Sequence, residues 1–528
     1  MIDDLRRLED GAELEADLCV IGAGAAGIAL AREFFATDTR VIVLESGGRR
    51  RSAATDHLNE GESTGMDPAS LTAGRGRVLG GSTALWAGQC LPPEPATFQR
   101  RDWIPHSGWP FDERELEPFY RRAEALFQIE GEVYDERVWN AFRVPAPPVD
   151  RRRLLHRFTV WCPQPHLGRL YRKRLAQSAN VRVLLNATTT KIATNPSGDR
   201  FESVRVSTPE GRRATVRARA CVLCGGAVEN ARLLLASRDV HGAGIGNRHD
   251  LVGRFFQDHP NSHCAVIVSG DVARLQDLYG LLYRRRVRYL PRLVLSPEVE
   301  RSEQVLSCAA YPVFHFGETS GIEASRRVYR ALRSGRRPER IGRELTRIAG
   351  DVPRLVPVGY RRVAKGRSAR TRPARVTLQT HAEQAPNPDS RVTLSERRDR
   401  FGEPLPKVDW RLTELDHRTA QVMVEGVGAE FRRLGLGEVH PEPWLAGPEW
   451  ISRVDDSFHH MGTTRLGTDA KSSVVDPDGQ VHGVTGFFVA GASVFPAAGF
   501  ANPTLMIAAL AMRLGDHLKT LLRHLPVT

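Results

Sequence analysis

The stretch DLCVIGAGAAGIALAREFFATDTRVIVLESGG, residues 17–48, constrains the fold of this 528-residue chain more than any other part of it. DLCVIG has the apolar character of a buried strand, GAGAAG is a glycine turn, AGIALAREFF has helical spacing, and RVIVLE returns as a second strand. The connection has room only for a βαβ crossover. Gly22 permits the tight turn, Gly24 lets the backbone approach a pyrophosphate, and Gly27 allows helix and strand to pack closely. Ala26 lies between the last two, on the same cofactor-facing turn. The phosphates are expected against the positive end of the helix that starts near Ala25. Glu45 ends the second strand, 21 residues beyond Gly24, where a carboxylate can accept both ribose hydroxyls. This fingerprint indicates a dinucleotide and leaves FAD and NAD open.

The remaining bulk properties narrow the class. With 41% hydrophobic and 26% charged residues the composition is that of a soluble globular protein, and the length suits two lobes rather than one core. No run of 18 apolar residues is present, and the acidic start MIDDLRRLEDGAELEAD does not read as a signal peptide. Seven cysteines do not form a disulfide pattern, so a reducing cytoplasm is the expected location. Cys221 and Cys224 have the spacing of a zinc or redox pair, but ACVLCGG reads as a strand and a second such pair is missing. The net charge of +13 is local: residues 321–375 hold 17 Lys/Arg against four Asp/Glu, and the other 58 basic and 58 acidic residues cancel. That window reads as an arginine-rich helical excursion, either simply solvated or used for subunit contact or peripheral membrane attachment. No nucleic-acid-binding motif accompanies it.

A second glycine-rich stretch, GRGRVLGGSTALWAGQC, covers residues 74–90. Residues 180–224 alternate as a small antiparallel meander returning to a buried strand, and GGAVENARLLLAS follows as a helix after a glycine turn. The chain closes with strand GFFVAG and helix PTLMIAALAMRLGDHL. The expected architecture is α/β: a discontinuous Rossmann-type domain from residues 1–95, 176–260 and 456–528, with an inserted α+β substrate-binding domain from 96–175 and 261–455.

Taken together, GRGRVLGGSTALWAG, GGAVENARLLLAS with LVGRFFQDHP, EQAPNPDSRVTLS, and the long end HHMGTTRLG…GFFVAGASVFPAAGFANPTLMIAALAMRLGDHL resemble a glucose-methanol-choline oxidoreductase. The resemblance runs nearly end to end. It implies an FAD enzyme that oxidises alcohols, nearest to the branch of pyranose 2-oxidase and the bacterial sugar and glycoside dehydrogenases. Trp86 is similar to the pyranose oxidase branch, and Leu85 stands where that enzyme carries a histidine bonded to its flavin, which implies noncovalent FAD. Gly491 replaces a frequent Asp, leaving its backbone and that of Ala492 to face the cofactor, and Asn230 also departs from the family signature. Gly81, Ser82, Thr83 and Thr504 are further cofactor-facing positions, and Arg77 is expected to offset phosphate charge unless it forms an ion pair instead.

Alcohol oxidation needs a base for the hydroxyl proton and an acceptor for hydride. The resemblance assigns the base to His459 of HHMGT and its oxygen-binding partner to Asn502. Read without the family, Asn502 and Pro503 are also a natural cap and first residue of the last helix. Neighbouring side chains of an extended segment point to opposite sides, so His460 is expected to be packed and hydrogen-bonded rather than to face the flavin. No metal site is expected. Gln384 and Asn387 are polar residues of a strand-to-turn passage and read as structural. The expected substrate is a small, carbohydrate-like alcohol: a sugar, glycoside or cyclitol carbinol goes to the carbonyl, by oxidase or dehydrogenase action. An aliphatic or sterol alcohol is the alternative donor, an NAD-dependent dehydrogenase a more distant alternative, and the electron acceptor stays open.

Overall fold

The structure, a computed structural model, describes residues 1–317, 320–333, 340–368 and 370–524. Four parallel strands form the centre of the first sheet: β1 (Ala12–Ile21), β2 (Val41–Leu44), β3 (Val181–Leu185) and β4 (Arg213–Leu223), in the order β3-β2-β1-β4. Their near-continuous burial reflects helices on the sheet's faces, which is why these strands read as apolar runs rather than alternations. The far edge of β4 is divided. Its first half, Arg213–Arg217, pairs antiparallel with Phe201–Ser207, while Cys221–Leu223 pairs parallel with β5 (Phe487–Val489). The expected meander is therefore shorter than the sequence indicates, because Val181–Leu185 joins the parallel sheet. Helix α1 (Ala25–Arg32) follows β1, α2 (Ala227–Ala236) follows β4, and α3 (Thr504–His524) follows β5 and packs on α1.

The second sheet is antiparallel, in the order 438–441, 261–268, 375–382, 308–315, 287–295, 154–161 and 89–90. One face lies under the helix Glu414–Arg433, which begins at a capping box made by Thr413 and Asp416. Alternation divides its residues: Leu293, Leu295, Cys308, Ala310, Val376 and Leu378 share a core with Met423, Val427 and Phe431 of that helix. Arg292, Tyr311 and His381 sit on the opposite phase and face the first lobe.

The two lobes interleave more than the sequence reading allows. Helices Glu117–Phe127 and Leu167–Gln177 lie in or beside residues 96–175, yet Ala123, Phe127, Leu167 and Tyr171 belong to the core of the nucleotide lobe. The hairpin of Arg391–Arg398 and Pro404–Asp409 pairs with Glu62–Ser63 and packs on α2, so part of 261–455 also belongs there. Amphipathic periodicity shows that a helix is half-buried but not which lobe covers it.

The basic excursion folds as three helices, Gly321–Arg333, Ile341–Gly350 and Val352–Lys365, inserted between two neighbouring strands of the second sheet. Eight of the fourteen exposed large hydrophobic side chains among the described residues lie on them, including Leu332, Val356, Tyr360 and Val363. Val356, Tyr360 and Val363, at i, i+4 and i+7 of the third helix, form an apolar stripe that faces outward.

Candidate active site

One cavity of about 780 Å³ runs between the lobes. At one end it is lined by Gly22, Gly24, Ala26 and Glu45, and at the other by His459, Asn502 and residues of the second sheet. Gly24 starts α1 without a side-chain cap, so the first N–H groups of the helix carry no such partner. Gly22 has φ +105°, and a Cβ there would lie 2.6 Å from the carbonyl oxygen of Cys224, so only glycine fits. Gly81, at φ +55°, presses against Gly24: its Cβ would come within 2.7 Å of the Gly24 Cα. The two glycine stretches are thus one floor. Gly27 packs beneath it, away from the lining, with space for no side chain against the Gly22 carbonyl.

Glu45 accepts from the backbone N–H groups of Ala23 (3.1 Å) and Gly47 (2.8 Å) while lining the cavity. Burial raises its pKa to about 7, against those two bonds and the charge of Arg77. Arg77 lines the cavity and forms an ion pair, the second of its two expected roles. Its guanidinium donates to Asn59, Ser46 and the Leu58 carbonyl and lies 3.1 Å from Glu229. Arg75 (3.2 Å) and Arg232 (3.0 Å) reach the same carboxylate. Burial would raise Glu229, but the charges of Arg232, Arg77 and Arg75 outweigh it and hold the carboxyl far below its usual range.

Ser82 accepts from Gly76 N–H at 3.1 Å, and Thr83 turns inward to accept from Leu167 N–H. Trp86 donates to the Pro165 carbonyl at 2.8 Å, which fixes its ring along the cavity wall. Gly491 lines the wall at φ +112°, a backbone conformation in which an aspartate would be strained. Ala492 and Thr504 line the same wall. Asn230 does not face the cavity: it accepts from Gly225 N–H and donates to Ser493, joining two turns. Gln384 and Asn387 are structural, the first between Asp258, Trp410 and Arg411, the second inside a turn.

Phe458 has φ +63°, so the segment is not extended. The buried Asp258 carboxylate accepts from the N–H groups of His259, Ser457 and His459, and thereby clamps that turn. Burial, reinforced by Asp456, raises Asp258 to about 8. The turn brings both histidines to the cavity. His459 reaches Asn502, with Nε2 and the amide Nδ2 3.5 Å apart. His460 is not turned away as expected. It also lines the cavity, packed on Phe256 and 4.0 Å from Asp258, with burial lowering its pKa to about 3.

Asn502 does not spend its side chain as a helix cap. Its Oδ1 accepts from Arg292 at 3.4 Å, which turns the amide N–H toward His459. The other ring nitrogen of His459, Nδ1, lies 2.9 Å from Nδ1 of His259. His381 stands beside both rings and donates from Nδ1 to the Phe500 carbonyl. The three imidazoles come close enough to hold a metal, as do Asp258, Asp456 and His460. However, a 2.9 Å Nδ1–Nδ1 contact is a hydrogen bond with one shared proton, whereas a metal needs both lone pairs aimed at a third point. Burial holds His459 well below the usual histidine range, with the charges of His259, Arg292 and His460 acting the same way.

Residues 386–511 match the GMC oxidoreductase family, and residues 17–243 match the FAD dependent oxidoreductase family. The chain therefore carries a GMC oxidoreductase region near its end and an FAD dependent oxidoreductase region in its first half. Its cofactor is FAD, which resolves the choice the fingerprint left open. A C-glycoside 3-oxidase of Arthrobacter globiformis is 40% identical over 116 residues, 22% of this chain and 21% of that protein. The fructose dehydrogenase large subunit of Gluconobacter japonicus is 22% identical over 584 residues, covering 95% of this chain and 97% of that one. A solved formate oxidase structure, 18% identical, superposes with a TM-score of 0.59 over 98% of this chain and 100% of that chain. At that identity the likeness is one of fold. In the first match, the chain spans about a fifth of its relative's length.

Sequence reasoning missed His259, His381 and Arg292. The first stood in LVGRFFQDHP, quoted for its resemblance, and the others are polar residues on the inner phase of buried strands. A charged or imidazole side chain at an otherwise apolar strand position was the available signal.

Proposed function

We propose that this protein is a GMC oxidoreductase and oxidises a CH–OH carbinol of a sugar, glycoside or cyclitol to the carbonyl. The observation that carries the reading is the pairing of His459 Nε2 and Asn502 Nδ2, 3.5 Å apart at the cavity wall. A substrate oxygen beside both can accept from the amide N–H and donate its proton to the imidazole. Bound FAD supplies the hydride acceptor. The floor of Gly22, Gly24 and Gly81 and the uncapped start of α1 suit its phosphates, and Glu45 suits its ribose.

For His459 to act as base, Nε2 must hold a lone pair, so Nδ1 must carry the hydrogen and donate to His259. His259 then holds its own hydrogen on Nε2, which is buried and has no hydrogen-bond partner among the described residues. Substrate oxidation moves the hydroxyl proton to His459 Nε2 and leaves Asn502 bonded to the new carbonyl oxygen. Polar side chains at the same end, Gln89, Asn261, Tyr311 and His381, suit a polyhydroxylated donor better than an aliphatic or sterol alcohol. The activities for which the glycoside oxidase and fructose dehydrogenase relatives are named support the same class.

Leu85 lines the cavity and offers no nucleophile, which supports noncovalent FAD. Seven free, buried cysteines support a cytoplasmic location. The outward apolar stripe of the arginine-rich helices supports peripheral attachment to an anionic lipid surface. Anaerobic bleaching of the flavin by a panel of sugars, cyclitols, alkanols and sterols, followed by admission of air, tests the donor class and oxygen as acceptor. Bleaching by alkanols or sterols but not by sugars overturns the reading.

A further inference from the structure

Arg292 is 1% exposed, and its guanidinium lines the substrate end of the cavity. One nitrogen, Nη2, donates to the amide oxygens of Gln89 (2.9 Å) and Asn502 (3.4 Å). Nε and Nη1 have no hydrogen-bond partner, and these two atoms carry three of the group's five N–H donors. No carboxylate among the described residues pairs with it. The Tyr311 ring, 5.2 Å away, is its one cation–π neighbour among them. Burial pushes its pKa down, with Tyr311 as the opposing influence. Arginine keeps its charge in proteins, and a buried charge left unpaired costs several kcal/mol, so such groups are ordinarily matched by an anion.

The acidic groups that line the cavity are engaged elsewhere. Glu45 holds the backbone of Ala23 and Gly47, Glu229 is shared by three arginines, and Asp456 lies with Asp258 and His460. The phosphates of FAD belong with the glycine floor of the other lobe. The missing anion therefore comes with the molecule that occupies the substrate end.

We propose that the donor is a hydroxylated carboxylate, a sugar acid or cyclitol acid, whose carboxylate is received by Arg292 while a nearby hydroxyl lies between His459 and Asn502. Planar guanidinium and carboxylate match in a two-bond fork that a neutral sugar cannot make. Gln89, Asn261 and Tyr311 are left for the remaining hydroxyls. Oxidation breaks the carbinol C–H and O–H bonds and forms C=O. The hydride goes to FAD, the proton goes to His459, and the carboxylate is unchanged. This inference rests on the alcohol-oxidation reading above and deepens it.

The test uses the FAD-loaded protein and anaerobic flavin reduction, comparing glucose with glucuronate and inositol with quinate. The acid of each pair is expected to half-saturate at a concentration roughly 10- to 100-fold lower than its neutral counterpart. In Arg292→Gln that acid-to-neutral ratio is expected to collapse toward one. Because both donors are measured in the same variant, a general loss of rate cancels. Acetate, which cannot be oxidised, is expected to compete with glucose in the unmodified protein, a measurement that stands even where the variant fails to fold. Equal use of acid and neutral donors, or no competition by acetate, overturns the inference and leaves the alcohol-oxidation reading intact. If no donor of either kind reduces the flavin, that reading falls and this inference falls with it.

Discussion

His459 and His259 share one proton between their Nδ1 atoms across 2.9 Å, from segments 200 residues apart. The contact sets which nitrogen of His459 is left to face the cavity. A histidine held by a second acceptor has a defined tautomer, and only one tautomer is a base at Nε2. Asp258 holds both residues at once, because its carboxylate accepts from the backbone N–H of each.

Replacing His459 by alanine is expected to slow flavin reduction by about 10²- to 10⁴-fold while the protein still binds FAD. Stopped-flow absorbance of the flavin measures the rate, and the yellow spectrum reports binding. Reduction at near-normal speed would show that the proton goes elsewhere.

Replacing His259 by phenylalanine keeps the ring's volume and removes the acceptor for His459 Nδ1–H. A hydrogen bond to a group that becomes charged is worth about 1.5–3 kcal/mol, so reduction is expected to slow roughly 10- to 150-fold. The effect should lie in the rate at saturating donor rather than in half-saturation. An unchanged rate would mean that the tautomer is set by something other than His259.

The acid limb of activity follows from His459. Burial depresses its pKa, so the neutral base survives as pH falls below 6.5, and activity is lost only when pH drops through the lower value. Reduction at pH 6 is therefore expected to stay close to that at pH 7.5, measured with a neutral donor. A histidine with an ordinary pKa near 6.5 would retain roughly a quarter of its base form at pH 6. A fall of that size would place His459 in a wetter setting than the fold provides.

Glu229 is the carboxylate that Arg75, Arg77 and Arg232 share. Glu229→Gln leaves three buried like charges without it, and breaking a buried pair costs about 3–5 kcal/mol. Urea unfolding of the FAD-free protein should show a lower midpoint at unchanged slope. A midpoint within error of the unmodified protein would mean that the cluster is open to water.

The outward stripe of Val356, Tyr360 and Val363 makes a further expectation accessible to centrifugation. The protein should sediment with vesicles containing phosphatidylserine, and less so as salt rises. It should stay in solution with neutral vesicles. Equal sedimentation with both would remove the arginines from the explanation, and sedimentation with neither would remove the lipid surface and leave a protein partner as the occupant.

Much of this arrangement was legible in the residues themselves. The βαβ fingerprint, Glu45 and the glycine stretch around Gly81 are local patterns, and each is set within a few residues of its neighbours. His459 and Asn502 were placed together by family resemblance, and the fold brings them within 3.5 Å. Arg292 and His381 were not found because their meaning depends on which face of a strand meets the other lobe, and His259 because it lies in the irregular segment just before the strand Asn261–Val268. Alternation divides a strand into two faces, and nothing in VRYLPRLVL says which face is inside. The fate of Arg77 was hidden for a similar reason: its partner Glu229 lies 152 positions away, on a helix whose packing no local pattern reports. His460 was misread because an αL residue at Phe458 bends a segment that alternation treats as straight.

The divided edge of β4 has a consequence for how a ribosome makes this molecule. The turn at Gly22 emerges early, while β5, which completes the sheet beside Cys221–Leu223, is made more than 460 residues later. The edge at Cys221–Leu223 is itself made about 260 residues before β5, so at about 5–20 residues per second it has no neighbour for roughly 13–53 seconds. Asn502 comes later still. A nascent chain therefore carries the address for its cofactor long before it can close around it, and a message cut short between residues 460 and 487 yields a product with an open, sticky sheet and a His459 that lacks Asn502.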